Sequence, residues 1–400
     1  MEHRLVSRPC DAVTRRAVAL AVVTVLALGV AACSSKQDSA VPPATTVVAY
    51  PLDDQLRLNQ MQVLGTHNSY HLTPDPALAT VLNKIDPAWP RTLEYSHAPL
   101  DTQLADQGIR QVELDVFADP DGGRYSLRHG PPAVGQPAAS GLPALDAPGF
   151  KVMHEQDVDY ATTCLTFVAC LDTVKQWSDA NPGHAPLMIL VEAKDGPIAD
   201  PQNLGFVKPV PFDSAQFDAL DAEVRSVFPA DQLITPDDVR GTHETLEQAV
   251  LANGWPTLAQ SRGKVMFTLD NAAKRAVYTE GHSSLRGRVF FTNASPGEPE
   301  AAFIERNDAG PMQAEITDLV RKGYVVRTRA DAEMVGPAAN DFTWRDAALA
   351  SGAQWISTDY PVVDARFPNY VVTIPGGTPG RCNPITAPPD CRSTDIENSP

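Results

Sequence analysis

Leu187-Met188-Ile189-Leu190-Val191 is an unbroken apolar run closed by Glu192. A run this short, with no polar face, reads as a strand buried on both sides, the pattern of a parallel sheet covered by helices. Seven further short runs follow the same logic: Met61–Leu64, Ile109–Val116, Phe150–His154, Lys264–Leu269, Val289–Thr292, Tyr324–Arg327 and Trp355–Ser357. Helical spacing falls between them, at Pro99–Gln107, Phe167–Ala180, Ser214–Val227, Glu244–Ala252, Glu300–Arg306, Met312–Lys322 and Thr343–Ser351. Eight strands, mostly followed by helices over about 300 residues, predict an α/β fold of the (β/α)₈ barrel type in one catalytic domain. An open doubly wound sheet competes with this assignment. The glycine patterns of phosphate and dinucleotide loops are absent after the first run, which lowers that alternative.

The chain divides into four parts. Residues 1–32 carry Arg15-Arg16 ahead of an apolar stretch that ends in small residues before Cys33, the layout of an export signal. Small residues directly before Cys33 resemble the bacterial lipoprotein box, which implies lipid attachment at its sulfur. Residues 33–51 are rich in Ser, Pro, Thr and Val and read as a flexible tether. Residues 52–370 form the barrel domain, with a long Gly/Pro loop over 119–149 and an insertion over 231–260. Residues 371–400 are a Pro-rich tail, read as coil. An exported or membrane-anchored protein keeps disulfides, and local loop closure favours Cys164–Cys170 and Cys382–Cys391.

A net charge of −17 argues against nucleic acid as a partner and is compatible with cation binding. The polar residues at the ends of the first four runs are His67 and Asn68, Glu113 and Asp115, His154, and Glu192 with Lys194. Residues i and i+2 of a strand face the same way, so Glu113 and Asp115 point together. With Asn68 and Glu192 they offer an oxygen-only shell of the kind that holds Ca²⁺; zinc would more often recruit the histidines. A Glu-x-Asp pair on a strand, or one histidine at a strand end, is usually an ordinary polar face. Four consecutive strand ends carrying such groups at the catalytic rim of a barrel point to chemistry. His97, His243 and His282 are read as ordinary polar residues, and the direction of His71 is not fixed by the pattern.

Gly65-Thr66-His67-Asn68-Ser69-Tyr70, Val112-Glu113-Leu114-Asp115-Val116, Lys151-Val152-Met153-His154, Val191-Glu192-Ala193-Lys194-Asp195, Val326-Arg327-Thr328-Arg329 and Ser357-Thr358-Asp359-Tyr360-Pro361 resemble the calcium-dependent phosphoinositide phospholipase C family. The likeness is greatest to its secreted bacterial branch and covers residues 58–367. It implies Ca²⁺ held by Asn68, Glu113, Asp115 and Glu192. His67 would stabilise charge on pentacoordinate phosphorus, and His154 would donate to phosphoryl or leaving-group oxygens. Glu113 or a neighbouring carboxylate would act as general base, and Lys194, Arg327 and Arg329 would meet substrate. The implied reaction is attack of the inositol 2-hydroxyl on phosphatidylinositol, giving diacylglycerol and a cyclic inositol phosphate, by a monomer at a membrane surface. Metal-independent relatives place arginine near the end of the second strand, where this chain has Asp115. Glycerophosphodiester phosphodiesterases share Thr358-Asp359-Tyr360-Pro361 but begin with His-Arg-Gly where this chain has His67-Asn68-Ser69. Such a diesterase, or a phospholipase D-like relative, is the alternative enzyme; a surface lipoprotein binding lipid or sugar without turnover is the alternative from another class.

Overall fold

The computed structural model describes residues 50–331, 335–377 and 379–398. The export signal, most of the tether and Cys33 lie outside these residues. The described part belongs to one compact unit, 47–400.

Eight parallel strands surround the core: β1 (Met61–Thr66), β2 (Gln111–Phe117), β3 (Leu187–Ala193), β4 (Val265–Leu269), β5 (Phe290–Thr292), β6 (Phe303–Asp308), β7 (Val325–Arg329) and β8 (Trp355–Thr358). The ladder runs β4-β3-β2-β1-β8-β7-β6, with β5 paired to β4. A single parallel bridge, Asn293 to Phe303, links β5 to β6 and closes the barrel. Register is fixed by apolar partners such as Ile189 opposite Val112 on one side and Phe267 on the other. Those residues are fully buried, which explains why β3 reads as continuous apolar sequence rather than an alternating one.

The longest helices match the spacing of the sequence. In α1 (Phe167–Ala180) the Thr166 hydroxyl accepts from Ala169 N at 3.2 Å, and Phe167, Cys170, Leu171 and Val174 form one buried stripe. In α2 (Ser214–Val227) the Asp213 carboxylate accepts from Gln216 N at 3.0 Å, and Phe217, Leu220 and Val224 are buried. The helices α3 (Ala309–Arg321) and α4 (Thr343–Ser351) pack on the strands that precede them.

One expected strand and one expected helix are assigned differently by the structure. Phe150–His154 is not a barrel strand: only Lys151–Val152 is extended, and it pairs antiparallel with the end of β2. It is the return leg of the long loop, pinned by buried Lys151, whose ammonium donates to the carbonyls of Ala147 and Gly149 at 2.7 Å. Conversely, 300–306 is not a helix. Its Glu and Ala favour helix locally, but Ala301, Ala302, Phe303 and Ile304 are all buried, and from Phe303 the chain runs in the barrel as β6. The strand count therefore stays at eight. The insertion adds a two-residue parallel strand, Leu233–Ile234, beside β4. The tail is not wholly coil: Gly380–Cys382 pairs antiparallel with β1, and Glu397 ion-pairs with buried Arg110 at the base of β2. Both local disulfides form, Cys164–Cys170 and Cys382–Cys391. Among the described residues no helix is long and apolar enough to cross a membrane.

Candidate active site

The turn after β1 is held by side chains from three directions. Asn68 takes a left-handed conformation, φ +45°, which lets the chain reverse directly after His67. Ser69 ties that reversal to β2: its N–H donates to Glu113 O at 3.0 Å, and its hydroxyl accepts from Glu113 N at 2.7 Å. Gln103 donates to the carbonyls of Ser69 and Ala98, both at 2.6 Å. His97, read from sequence as an ordinary polar residue, donates its Nε2–H to His67 O at 2.8 Å.

His67 and Asp359 form the first functional pair. Nδ1 of His67 lies 3.0 Å from Asp359 Oδ1, and Nε2 lies 3.8 Å from Glu113 Oε1. Burial would raise the Asp359 pKa, but His67, His97 and Arg329 together hold it well below the carboxylate range. The His67 pKa is pushed down to about 3, by burial first and then by Arg329, against the pull of Asp359. The imidazole is therefore neutral, with its Nδ1–H given to Asp359 and a lone pair on Nε2, on the side of Glu113. Asp331 supports Asp359, accepting from its backbone N–H at 3.0 Å.

The carboxylates collect beside this pair. Glu113, Asp115 and Glu192 are all pushed upward, chiefly by burial; Glu192 adds to the effect on the other two. Glu113 reaches about 7 even though Arg327 opposes the shift. Neither oxygen of Asp115 accepts a hydrogen bond of normal geometry, although the Tyr70 hydroxyl lies against it. Lys194 is 3.5 Å from Asp115, 3.7 Å from Glu192 and 3.1 Å from Glu155, close enough to soften the repulsion but not to satisfy Asp115. Asn68 spends its amide nitrogen on the Tyr95 hydroxyl at 2.9 Å, which leaves the amide oxygen as its ligand atom. Buried carboxylate oxygens without partners are the kind of donor a hard cation takes, and the Asn68 amide oxygen is of the same kind. Glu192 keeps about 30% of its side chain exposed, facing a cleft of about 250 Å³ that Glu155, Lys194, Asp195, Asn271 and Lys274 also line.

His154 belongs to a second group. Its Nδ1 lies 2.7 Å from Asp159 Oδ2, and His71 Nε2 lies 3.0 Å from both oxygens of the same carboxylate. His71 and Asp159 are fully buried, whereas the His154 side chain keeps 18% of its surface open.

The two arginines differ in what they leave free. Arg327 donates to Ser357 Oγ at 2.9 Å, Asn307 Oδ1 at 2.7 Å and Glu113 Oε2 at 2.5 Å. Arg329 reaches Asp359 at 3.4 Å and keeps its buried Nε without a partner. Sequence reasoning missed Asp159, Glu305 and Asp270, and gave Asp359 no role although it lay within a quoted motif. Burial and the neighbouring Asp270 raise the pKa of Glu305 well above the usual range. It fell in a segment read as helix, so no strand-end signal marked it. Asp159 sits five residues beyond His154 in an irregular loop, where spacing carries no information about contact.

A barrel whose C-terminal rim brings two histidines, an oxygen-rich carboxylate group and an unpaired guanidinium nitrogen together defines a metal-assisted phosphodiesterase. Residues 56–384 match the family described as Phosphoinositide phospholipase C, Ca²⁺-dependent, and the chain belongs to that family. Its activity class is accordingly phosphoric diester cleavage of phosphatidylinositol with Ca²⁺ as cofactor. The chain is similar in structure to a calcium-dependent phosphoinositol-specific phospholipase C from Pseudomonas sp. (TM-score 0.50, 17% identity, 83% of this chain and 97% of that one). It also aligns with a Ca²⁺-dependent phosphatidylinositol-specific phospholipase C from Streptomyces antibioticus (TM-score 0.47, 17% identity, 76% and 95%). At such identity the Pseudomonas structure supports the fold alone. No curated protein matches the chain.

Proposed function

We propose that this chain cleaves phosphatidylinositol with His67 and His154 on opposite sides of the phosphorus. The inositol 2-hydroxyl oxygen bonds to phosphorus and gives its proton to His67 Nε2. The P–O bond to glycerol breaks, and the leaving oxygen takes a proton from His154 Nε2. Diacylglycerol and a cyclic inositol phosphate result. The observation that carries this reading is the His67–Asp359 pair at 3.0 Å, with Asp359 ionised and Nε2 left facing Glu113 Oε1 at 3.8 Å. With Nδ1–H held by Asp359, Nε2 is the ring nitrogen positioned to accept the proton, in place of the charge-stabilising role implied by family resemblance.

Asn68, Glu113, Asp115 and Glu192 would hold the calcium ion, which when bound lowers the pKa of the 2-hydroxyl and offsets phosphate charge. Glu113 is shared between that role and Arg327, which fixes its orientation. The unpaired Nε of Arg329 is the donor available to a phosphoryl oxygen. Lys194 and Lys274, in the cleft beside Glu192, suit inositol hydroxyls. The domain acts as a monomer at a membrane surface, carried there by export and lipid attachment at Cys33, consistent with the signal-like residues 1–32. The test is ³¹P NMR of protein beginning after Cys33 with phosphatidylinositol micelles, in Ca²⁺ and in EGTA. A cyclic phosphodiester resonance only in Ca²⁺ is expected. Glycerophosphate or phosphatidate instead would assign the chain to the alternative diesterases, and no turnover with calcium bound would support the binding-protein reading.

A further inference from the structure

Asp159 sits between two histidines in a place built to hold it. The segment from Glu155 to Asp159 closes on itself through paired backbone hydrogen bonds, Glu155 N to Asp159 O at 2.9 Å and Asp159 N to Glu155 O at 3.0 Å. Asp157 turns the loop at φ +72°, and its carboxylate accepts from the backbone of His129 and Val207 at 2.7 and 2.6 Å. Beyond the loop, Leu72 N donates to Ala161 O and Thr163 N to Tyr70 O, so the segment is docked on the chain leaving β1. His71 comes from that chain. Its Nδ1 faces a carbonyl acceptor, Tyr95 O, at 3.1 Å and so carries a proton, while its Nε2 faces the Asp159 carboxylate.

We infer that Asp159 is the positioning residue for His154, and that His71 holds Asp159 in place from behind. This rests on the role given to His154 above. The Asp159 oxygen at 2.7 Å requires the proton on His154 Nδ1, which fixes the tautomer and leaves Nε2, on a side chain 18% exposed, as the nitrogen free to act. The carboxylate also stabilises the imidazolium that must exist before the leaving oxygen is protonated. Burial alone would raise the Asp159 pKa; the two histidines hold it down to about 2, so it is ionised throughout the working range.

The ligand atoms of His71, His154 and Asp159 lie within 4.8 Å of one another, which is also a spacing a metal could use. The geometry argues otherwise. Zinc–ligand bonds of about 2.0 Å place tetrahedral ligand atoms about 3.3 Å apart. The contacts here, 2.7 and 3.0 Å, are hydrogen bonds with no room for an ion between them.

The experiment compares two leaving groups. Asp159→Asn keeps shape but cannot hold the charge, and should lower kcat on phosphatidylinositol about 100-fold with KM unchanged. An inositol phosphodiester with a nitrophenoxide leaving group needs no proton on the departing oxygen, so Asp159→Asn should lower its turnover less than about tenfold. Asp159→Glu should recover part of the loss. Equal losses on both substrates, or near-normal lipid turnover by Asp159→Asn while His154→Ala is inactive, would overturn the assignment. Near-normal activity of His154→Ala would instead remove the role of His154 itself, and this inference with it. Histidine-ring ¹⁵N–¹H spectra of the unmodified protein decide the matter even if the variant does not fold. His154 must show a protonated Nδ1 with a downfield proton, and a bare Nδ1 overturns the proposal.

Discussion

Arg327 reaches across the barrel interior to place Nη2 2.5 Å from Glu113 Oε2, with both side chains almost fully buried. The pair joins β7 to β2 and fixes the carboxylate that lies beside His67 and that we propose as a calcium ligand. Removing one member of a buried ion pair leaves the other charge uncompensated, at a cost of about 3–5 kcal/mol. Arg327→Met should therefore lower the melting temperature markedly in EGTA. Saturating Ca²⁺ should recover part of the loss, because a bound cation neutralises the stranded Glu113. Thermal melts of both proteins with Ca²⁺ and EGTA check this; equal losses in the two conditions would separate Glu113 from the ion.

The carboxylates also predict how calcium stabilisation varies with pH. Burial raises Glu113 from 4.5 in the unfolded chain to about 7, and raises Asp115 and Glu192 in the same direction. A raised folded pKa means the folded state binds more protons. The contribution of these groups is then fully present below about pH 4.5 and is lost as pH rises through the folded pKa values. Without metal the protein should lose stability from this group between about pH 4.5 and 7. Calcium restores it, so the Ca²⁺-induced rise in melting temperature should grow over the same window. Asp115→Asn should raise the melting temperature in EGTA at neutral pH yet shrink the calcium-induced rise. A calcium response that is flat with pH would count against these ligands.

The opposite end of the barrel makes a separate prediction. Arg110, at the base of β2, pairs with Glu397 of the tail, donating Nε to Oε2 at 2.8 Å, and Ala185 N donates to the same oxygen at 2.9 Å. Glu397→Ala strands a buried guanidinium and should cost about 3–5 kcal/mol, while kcat at a temperature where the variant is folded stays within about twofold of the parent. Chemical denaturation and lipid turnover, measured on one preparation, separate the two effects. The tail thus acts as part of the barrel floor.

Much of the fold was legible because burial on both faces leaves a plain sequence signal. The run Leu187–Glu192 and the helices Phe167–Ala180, Ser214–Val227 and Thr343–Ser351 coincide with observed elements to within a residue. Misreading concentrated where local preference and tertiary context oppose each other. Residues 300–306 favour helix locally but run into the barrel as β6 from Phe303, and in Phe150–His154 only Lys151–Val152 is extended, and it runs antiparallel to β2. The site was legible where its residues end strands. Asp159 and His71 escaped because their partnership joins two irregular segments, 88 residues apart, that no periodicity connects.

Gly65 offers the most local test of how the floor of the site is built. A Cβ on this residue would lie 1.9 Å from Gln111 Oε1 and 2.7 Å from Gln111 Cβ, so the strand β1 needs glycine where β2 leans over it. Gln111 is fully buried and accepts from Ser357 Oγ at 2.5 Å; Ser357 in turn accepts from Arg327 Nε at 2.9 Å. Displacing Gln111 therefore disturbs the residue that orients Arg327, and through it Glu113. Gly65→Ala should cost at least about 1–3 kcal/mol by overpacking. It should also weaken calcium binding although residue 65 touches no ligand. A Gly65→Ala/Gln111→Gly double variant removes every clashing atom, Cβ included, but not the lost link to Ser357. It should regain stability over Gly65→Ala while calcium affinity stays low. If the double variant also recovers calcium affinity, then Gln111 acts only as a space-filling side chain and the chain of contacts from Gly65 to Glu113 carries no energetic coupling.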